Sequence, residues 1–546
     1  MRKSKIRALV IVPAVVGSLL AATPGSARPA LERYIVGYRT AAGLDAAVRA
    51  VGGNVVHRYQ LIDGAVVDAP AGSLTTLKKQ TGVTWAQRDV RRTSNGLVDP
   101  AEAYLGQPEF IPWGVADVGA NRVWDTNDDL NVDRGATSGR GITVAVIDNG
   151  LDETHPDLAA AWNLDDSECF IQAIYPDCTA QDDVSGPFQS HGVSAASNIA
   201  ARANDVGLIG VAPKATIVAY RAGDSATGFL QTSAIVMALE AAILDEVDVV
   251  NMSFGGPAPA PAERLILEVA YAEGIVLVAS SGNGDDHSGS KPPVGFPAKL
   301  PTVIAVGATD ADRVLSDFSS FGNDQELVAP GVDVPSAFVQ QTAVDVGFVI
   351  NTPSAAPTFT PATIEFSPTG SVTGNLTFIG LGTTADVAGL DLSGEVALIE
   401  RGSISFAEKV ANAAAAGAEA AIVFNNAPGT IGATLGSPGA IPALEMSGEQ
   451  GQALLGLVQA GTVNVSIDVL ATHWGLISGT SFSAPHVAGV AALVLSADPT
   501  LSPGEVRQIL AGTAIDLGSA GYDTKYGHGL VDACAAVEAA GGDCSG

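Results

Sequence analysis

Basic residues are scarce in this chain. Its 546 residues carry 28 lysines and arginines against 58 acids, a formal charge of −30. Such a surface repels a phosphate backbone, which excludes nucleic-acid binding and suits a soluble extracellular protein. Cysteine is scarce too: Cys169, Cys178, Cys534 and Cys544 are the full set. None has the histidine and asparagine setting of a catalytic thiol. They form two close pairs, which favours Cys169–Cys178 and Cys534–Cys544 among three possible connectivities. Histidine is also limited, and His155, His473, His486 and His528 lack zinc-site spacing, so no catalytic metal is expected. Long uncharged apolar runs are absent beyond the N-terminus, apart from Ala- and Gly-rich helical stretches that read as core. No membrane anchor is therefore expected.

The N-terminus itself is informative. Arg2, Lys3, Lys5 and Arg7 precede a run from Ala8 to Ala22 that is apolar apart from Pro13, Gly17 and Ser18. That run is shorter than the ~20 residues a spanning helix needs. Gly25-Ser26-Ala27 supplies small residues for a cleavage site. Residues 1–27 thus read as a secretory signal peptide, with a secreted product in which disulfides can form.

A hydrophobic content of 47% with 16% charge is globular, and 62 glycines and 30 prolines predict many turns. The length calls for several domains. Residues 28–105 read as a small domain and its linker. Within them, strand–helix–strand–strand–helix–strand order over 33–90 fits a split βαβ unit. Arg91-Arg92, Asn95-Gly96 and Asp99-Pro100 then mark an exposed link. From about Pro112, apolar strands alternate with helices, the pattern of a parallel sheet with crossover helices. Composition shifts near Gln340 to Thr, Pro, Gly and Ala, and a βαβ-like unit follows over 395–424. The expected organisation is a catalytic domain in two parts, 106–339 and 471–546, interrupted by an inserted domain over 340–470. The fold class is α/β, a parallel sheet with helices on both faces, with a small α+β domain before it and a β-rich insert.

Four sites carry the chemistry. Asp148 ends the apolar strand Ile142–Ile147, and function gathers at the carboxyl ends of parallel strands. His191 opens an Ala- and Val-rich helix, where an imidazole backed by a carboxylate acts as a general base. Ser481 stands in Gly479-Thr480-Ser481-Phe482-Ser483-Ala484-Pro485, where a loop enters a long apolar helix. Asn283, in Ser280-Ser281-Gly282-Asn283-Gly284, follows a strand and can donate to an oxyanion, a contact worth about 3–4 kcal/mol. Taken singly these are a turn Asp, a helix-start His, an N-cap Ser and a turn Asn. Together, the order Asp…His…Ser is that of subtilisin, distinct from chymotrypsin and the α/β-hydrolases.

The chain resembles the subtilisin family (subtilases) in seven blocks: Val144–Gly150, Ser190–Gly192, Gly210–Pro213, Asn251–Gly255, Ser281–Asn283, Ala329–Gly331 and Gly479–Pro485. Tyr526–Asp532 is similar to the family's C-terminal signature. The resemblance implies a serine endopeptidase acting on proteins and peptides. Ser481 would be the nucleophile, His191 the base, Asp148 its orienting partner, and Asn283 an oxyanion donor. It also implies that Ser253, Phe254 and Gly255 pair with extended substrate and that Ser280, Ser281 and Gly282 wall the specificity pocket. Residues 33–90 resemble the inhibitory propeptide, an intramolecular inhibitor cut off between Arg91 and Ile111. The insert resembles a protease-associated domain. Structural calcium is implied at Asp157, Asn204 and the carbonyls of Val206 and Leu208; no cofactor is implied for the chemistry. Val193 stands where the family usually has threonine, and Ser194 and Ser197 also depart from its pattern, so geometry beside His191 is the point to check. A monomer is expected. Two other readings are a processing protease for basic sites, drawing on Asp285 and Asp286, and an inactive binding homologue.

Overall fold

The computed structural model describes residues 30–94, 97–98, 109–172, 175, 177–181, 190–284, 293–340, 342–352, 357–364, 366–429, 431 and 433–544. The expected signal peptide, the turns at Asn95-Gly96 and Asp99-Pro100, and Asp285-Asp286 lie outside the described residues.

A seven-stranded parallel sheet forms the centre. Its strands run in the order Leu327–Pro330, Ile304–Thr309, Val276–Ser280, Val249–Met252, Thr143–Asp148, Thr216–Arg221 and Glu168–Cys169. The fifth strand in this order, Thr-Val-Ala-Val-Ile-Asp, is apolar at every interior position because both of its faces are covered. Val144 and Val146 pack with the His191–Ala200 and Thr480–Ala497 helices. Ala145 and Ile147 point the other way, into the Thr232–Leu244 and Pro261–Ala272 helices. The fold is therefore α/β with helices on both faces. One helix among the described residues, Thr480–Ala497, is long and apolar enough to cross a membrane; 89% of it is buried within the fold, as a core helix should be.

The N-terminal segment builds its own antiparallel sheet, with strand order Asn54–Arg58, Gly64–Pro70, Leu31–Tyr38 and Val83–Arg88. Leu44, Val48 and Leu77 pack beneath it. The sheet sits on two helices of the central α/β domain through buried Ile35, Tyr59 and Val66 and through polar contacts. Asp89 accepts from the Ser233 N–H at 2.9 Å and its hydroxyl at 2.6 Å, capping the Thr232–Leu244 helix. The Gln87 side chain accepts from Ala262 N–H at the start of the next helix. Glu240 accepts the Gln60 and Leu61 N–H groups at 2.6 and 2.7 Å.

The stretch from Ala343 to Thr472 leaves the central sheet and forms a second, mixed sheet of seven strands. Its first and last strands, Ala343–Thr352 and Asn464–Thr472, pair antiparallel along their length, so the chain leaves and returns at neighbouring points. The βαβ unit expected here is present: Glu395–Glu400 and Ala420–Phe424 are parallel, joined by helix Phe406–Ala415. A capping box between Ser405 and Glu408 starts that helix. Both close cysteine pairs, Cys169–Cys178 and Cys534–Cys544, are disulfides.

Candidate active site

Asp148 and His191 come from adjacent parts of the sheet's carboxyl edge. The strand Thr143–Asp148 ends on Asp148, and the helix His191–Ala200 begins on His191. The His191 Nδ1 stands 2.9 and 3.0 Å from the two Asp148 carboxylate oxygens. Both side chains are buried, so the pair is screened little by water. The Asn149 N–H donates to the same carboxylate at 2.8 Å, and the Asn149 side-chain oxygen accepts from Gly192 N–H at 2.9 Å. Asn149 thus ties the strand end to the helix start, a role that its turn-like setting did not signal. With Nδ1 facing the carboxylate, Nε2 is the nitrogen left for proton transfer; it is buried and has no hydrogen-bond partner among the described residues.

Val193 does not disturb this arrangement. It is fully buried in the main core. The two serines that follow anchor the helix instead. Ser194 donates its hydroxyl to the Ala337 carbonyl at 2.7 Å, and Ser197 accepts from Ala337 N–H at 3.0 Å. These unusual residues fasten the His191 helix to the strand Val334–Ala337, which leads toward the insert.

Ser481 lies in the first turn of the Thr480–Ala497 helix, and the His191 ring packs at 5.2 Å against neighbouring Phe482. Its hydroxyl donates to the Ser253 carbonyl at 2.8 Å, while the Ser253 hydroxyl donates to the Ser481 carbonyl at 2.6 Å. The Ser481 hydroxyl is thus turned to Ser253 rather than to His191; bonds of this kind often tighten only when substrate is bound. Asn283 accepts from the Thr480 N–H at 3.0 Å and the Thr480 hydroxyl at 2.8 Å. Holding its carboxamide oxygen there orients the NH2 end as the donor. Ser280, Ser281 and Gly282, the expected pocket wall, adjoin Asn283 in the chain: Ser281 donates to Ser320 O, and Gly282 N–H donates to the Thr480 hydroxyl. Thr480 therefore joins Asn283 to that wall.

Phe254 and Gly255 carry an added antiparallel strand, and it comes from the chain itself. Ser94 pairs with Phe254, and Thr93 with Gly255. On the other side, Arg91–Thr93 pairs with Phe229–Gln231. The chain then reappears as Leu97–Val98, paired with Ile477–Ser478 just before Ser481. Arg91-Arg92 lies within the paired strand, upstream in sequence of the interval from Ser94 to Leu97.

The residues expected to hold calcium, Asp157, Asn204, Val206 and Leu208, are neighbours in the fold. Leu208 N–H and the Trp474 indole N–H both donate to one Asp157 oxygen, at 3.1 and 2.7 Å. Asn204 spends its side-chain oxygen on Val206 N–H and its NH2 on Pro156 O. Both donors fall on Oδ2; Oδ1 is buried and has no hydrogen-bond partner among the described residues, and calcium would need six to eight oxygen ligands in all. Burial pushes the Asp157 carboxyl up to about 7, against the lowering effect of the Leu208 and Trp474 N–H groups.

Residues 139–363 match the family model described as the subtilase family, and 368–454 match the PA domain. Subtilisin NAT of Bacillus subtilis subsp. natto is 31% identical over 342 residues, covering 61% of this chain and 80% of that protein. The chain belongs to the subtilase family. It is a serine endopeptidase carrying a PA domain. The minor extracellular protease Vpr of Bacillus subtilis is 27% identical over 86% of this chain and 59% of its own length. Among solved structures, the psychrophilic subtilisin-like protease Apa1 of Pseudoalteromonas sp. AS-11 superposes with a TM-score of 0.53 at 26% identity. It covers 80% of this chain and 99% of its own. Fervidolysin of Fervidobacterium pennivorans shares the fold at 21% identity and a TM-score of 0.59, covering 94% of this chain and 62% of its own.

Two predictions follow from this packing in a subtilase. A Cβ on Gly192 would stand 2.5 Å from the Gly150 carbonyl and 3.1 Å from the Asp148 Cβ. Gly192→Ala must therefore shift His191, and peptide hydrolysis should fall by on the order of 100-fold in kcat/KM; an unchanged rate contradicts the tight fit. Burial also depresses His486, on the Ser481 helix, from 6.5 to about 4. Its contribution to stability is complete above pH 6.5 and is lost as pH falls toward 4, because only the unfolded chain takes the proton. In urea melts on a Ser481→Ala background, His486→Gln should flatten the stability loss between pH 7 and 4.5. An unaltered slope contradicts the assignment.

Proposed function

We propose that this subtilase is exported, made as a zymogen, and cleaves its own N-terminal segment with Asp148, His191, Ser481 and Asn283. His191 Nε2 takes the Ser481 proton as the serine oxygen attacks the substrate carbonyl carbon. The carbonyl π electrons move onto oxygen, which is held by the Asn283 NH2 and the helix N-terminus at Ser481. Collapse of this intermediate breaks the C–N bond, and His191 hands its proton to the leaving amine. Water then repeats the sequence on the acyl-enzyme. Asp148 keeps the imidazole in one tautomer and stabilises its charged form.

One observation carries the zymogen reading. The segment Arg91–Ser94 extends antiparallel to Phe254–Gly255, and the chain resumes at Leu97–Val98 beside Ile477–Ser478, on the approach to Ser481. A chain running past a nucleophile on both sides is laid out as a substrate, by the same strand addition that peptide ligands use. The bond cut then lies between Ser94 and Leu97. Export is supported by the two disulfides and by the basic, then apolar, N-terminal sequence.

Wild-type protein should lose its N-terminal segment, begin at residue 95, 96 or 97, and digest casein. Ser481→Ala should remain full length apart from its signal peptide and digest nothing. Mass spectrometry of both proteins reads the outcome. Maturation of the Ser481→Ala protein, or a first residue beyond Leu97, contradicts self-cleavage at this crossing.

A further inference from the structure

The strand Arg91–Ser94 alternates, with Arg92 and Ser94 buried and Arg91 and Thr93 exposed. Arg92 is 1% exposed, unusual for an arginine in a segment that reads as a solvated linker. Its guanidinium is fully engaged. The Nε donates to one carboxylate oxygen of Glu263 at 3.1 Å, and Nη2 donates to the other. The Nη1 donates to the Ala258 carbonyl at 2.8 Å. Glu263 is also 1% exposed and sits in the first turn of the Pro261–Ala272 helix. Gly256 floors the pocket: a Cβ there would stand 3.1 Å from Nη1. The ion pair is thus bidentate, buried and formed between two segments that have to separate when the N-terminal domain leaves.

We propose that Glu263 is a specificity determinant for substrates, selecting an arginine at the position that Arg92 takes in the chain's own segment. This rests on the reading that Arg91–Ser94 lies in the substrate groove. A cut between Ser94 and Leu97 makes Arg92 the third, fourth or fifth residue before the bond. Glu263 loses its partner once the segment departs, and a buried carboxylate without one is costly. A substrate arginine restores the planar two-point contact. Lysine, a point charge, restores only part of it, and an acidic residue is repelled. The selection acts upstream of the cleaved bond, so the residue at the bond itself is left to other walls of the site. It differs from a preference drawn from Asp285 and Asp286. It also assigns the basic pair Arg91-Arg92 a role other than being the point of cleavage.

The test is cleavage profiling of mature wild-type and Glu263→Gln enzyme on a peptide library randomised at the five residues before the bond. Wild type should enrich arginine at one of the third to fifth positions, the one matching Arg92 by the mapped N-terminus. The preference over alanine should be about 10–100-fold in kcat/KM, the range of a charge-assisted hydrogen-bond pair. Glu263→Gln should lose most of that ratio. Cleavage by wild type without arginine enrichment at that position overturns the proposal and leaves the endopeptidase intact. Enrichment that survives Glu263→Gln overturns the assignment to Glu263. If Glu263→Gln does not mature, the wild-type profile decides alone. If wild type cleaves no peptide at all, the reading of the groove fails first and this proposal falls with it.

Discussion

The Thr480–Ala497 helix is apolar on every side, and that constrains everything around it. Sixteen of its residues, Thr480 to Leu495, are buried, so it needs cover all round. Strands supply part of that cover, and the His191 helix supplies more. Gly489 lets the Val211 loop approach so closely that a Cβ would stand 2.7 Å from the Val211 Cβ. Because this helix carries Ser481 at its first turn and packs on the helix that begins with His191, burial of apolar surface sets where Ser481 stands relative to His191. The position of the chemistry follows from packing, with the polar contacts of Asn149, Ser253 and Thr480 trimming its orientation.

The same constraint explains how the PA domain is tolerated. The chain leaves after Val334–Ala337 and returns through Trp474–Ser478, and these two strands pair antiparallel before the Ser481 helix starts. Whatever is built between them, the exit and return are clamped together. Ser194 and Ser197 add bonds from the His191 helix to the exit strand, and the Trp474 indole ties the return strand to Asp157. The insert is therefore joined to the site at points on the histidine side and on the serine side.

Much of this was legible in the sequence, because the informative contacts are local. An apolar strand ending in Asp-Asn-Gly, a helix opening on His-Gly and a loop of small residues before an apolar run each mark a strand end or helix start without knowledge of the fold. The small N-terminal domain and the βαβ unit of the insert could be read from periodicity for the same reason. Contacts between distant segments could not. Arg92 meets Glu263 across 171 positions, and in sequence Arg92 reads as part of an exposed link. Trp474 reaches Asp157 across 317 positions, a contact that the family resemblance implying calcium at Asp157, Asn204, Val206 and Leu208 could not reveal. Val193 misled in the opposite sense. It looked like a gap in a hydrogen-bonding network, and it is a core residue whose neighbours, Ser194 and Ser197, carry the bonds.

The proposed mechanism makes Ser481 a nucleophile activated by the buried Asp148–His191 pair. A fluorophosphonate probe, which reacts with an activated serine hydroxyl, tests it most directly when applied to the processed protein and followed by peptide mass mapping. The account predicts one label, on Ser481, which is abolished when His191 is replaced by alanine. Processed wild-type protein that takes no label, or takes it on another residue, would contradict the account.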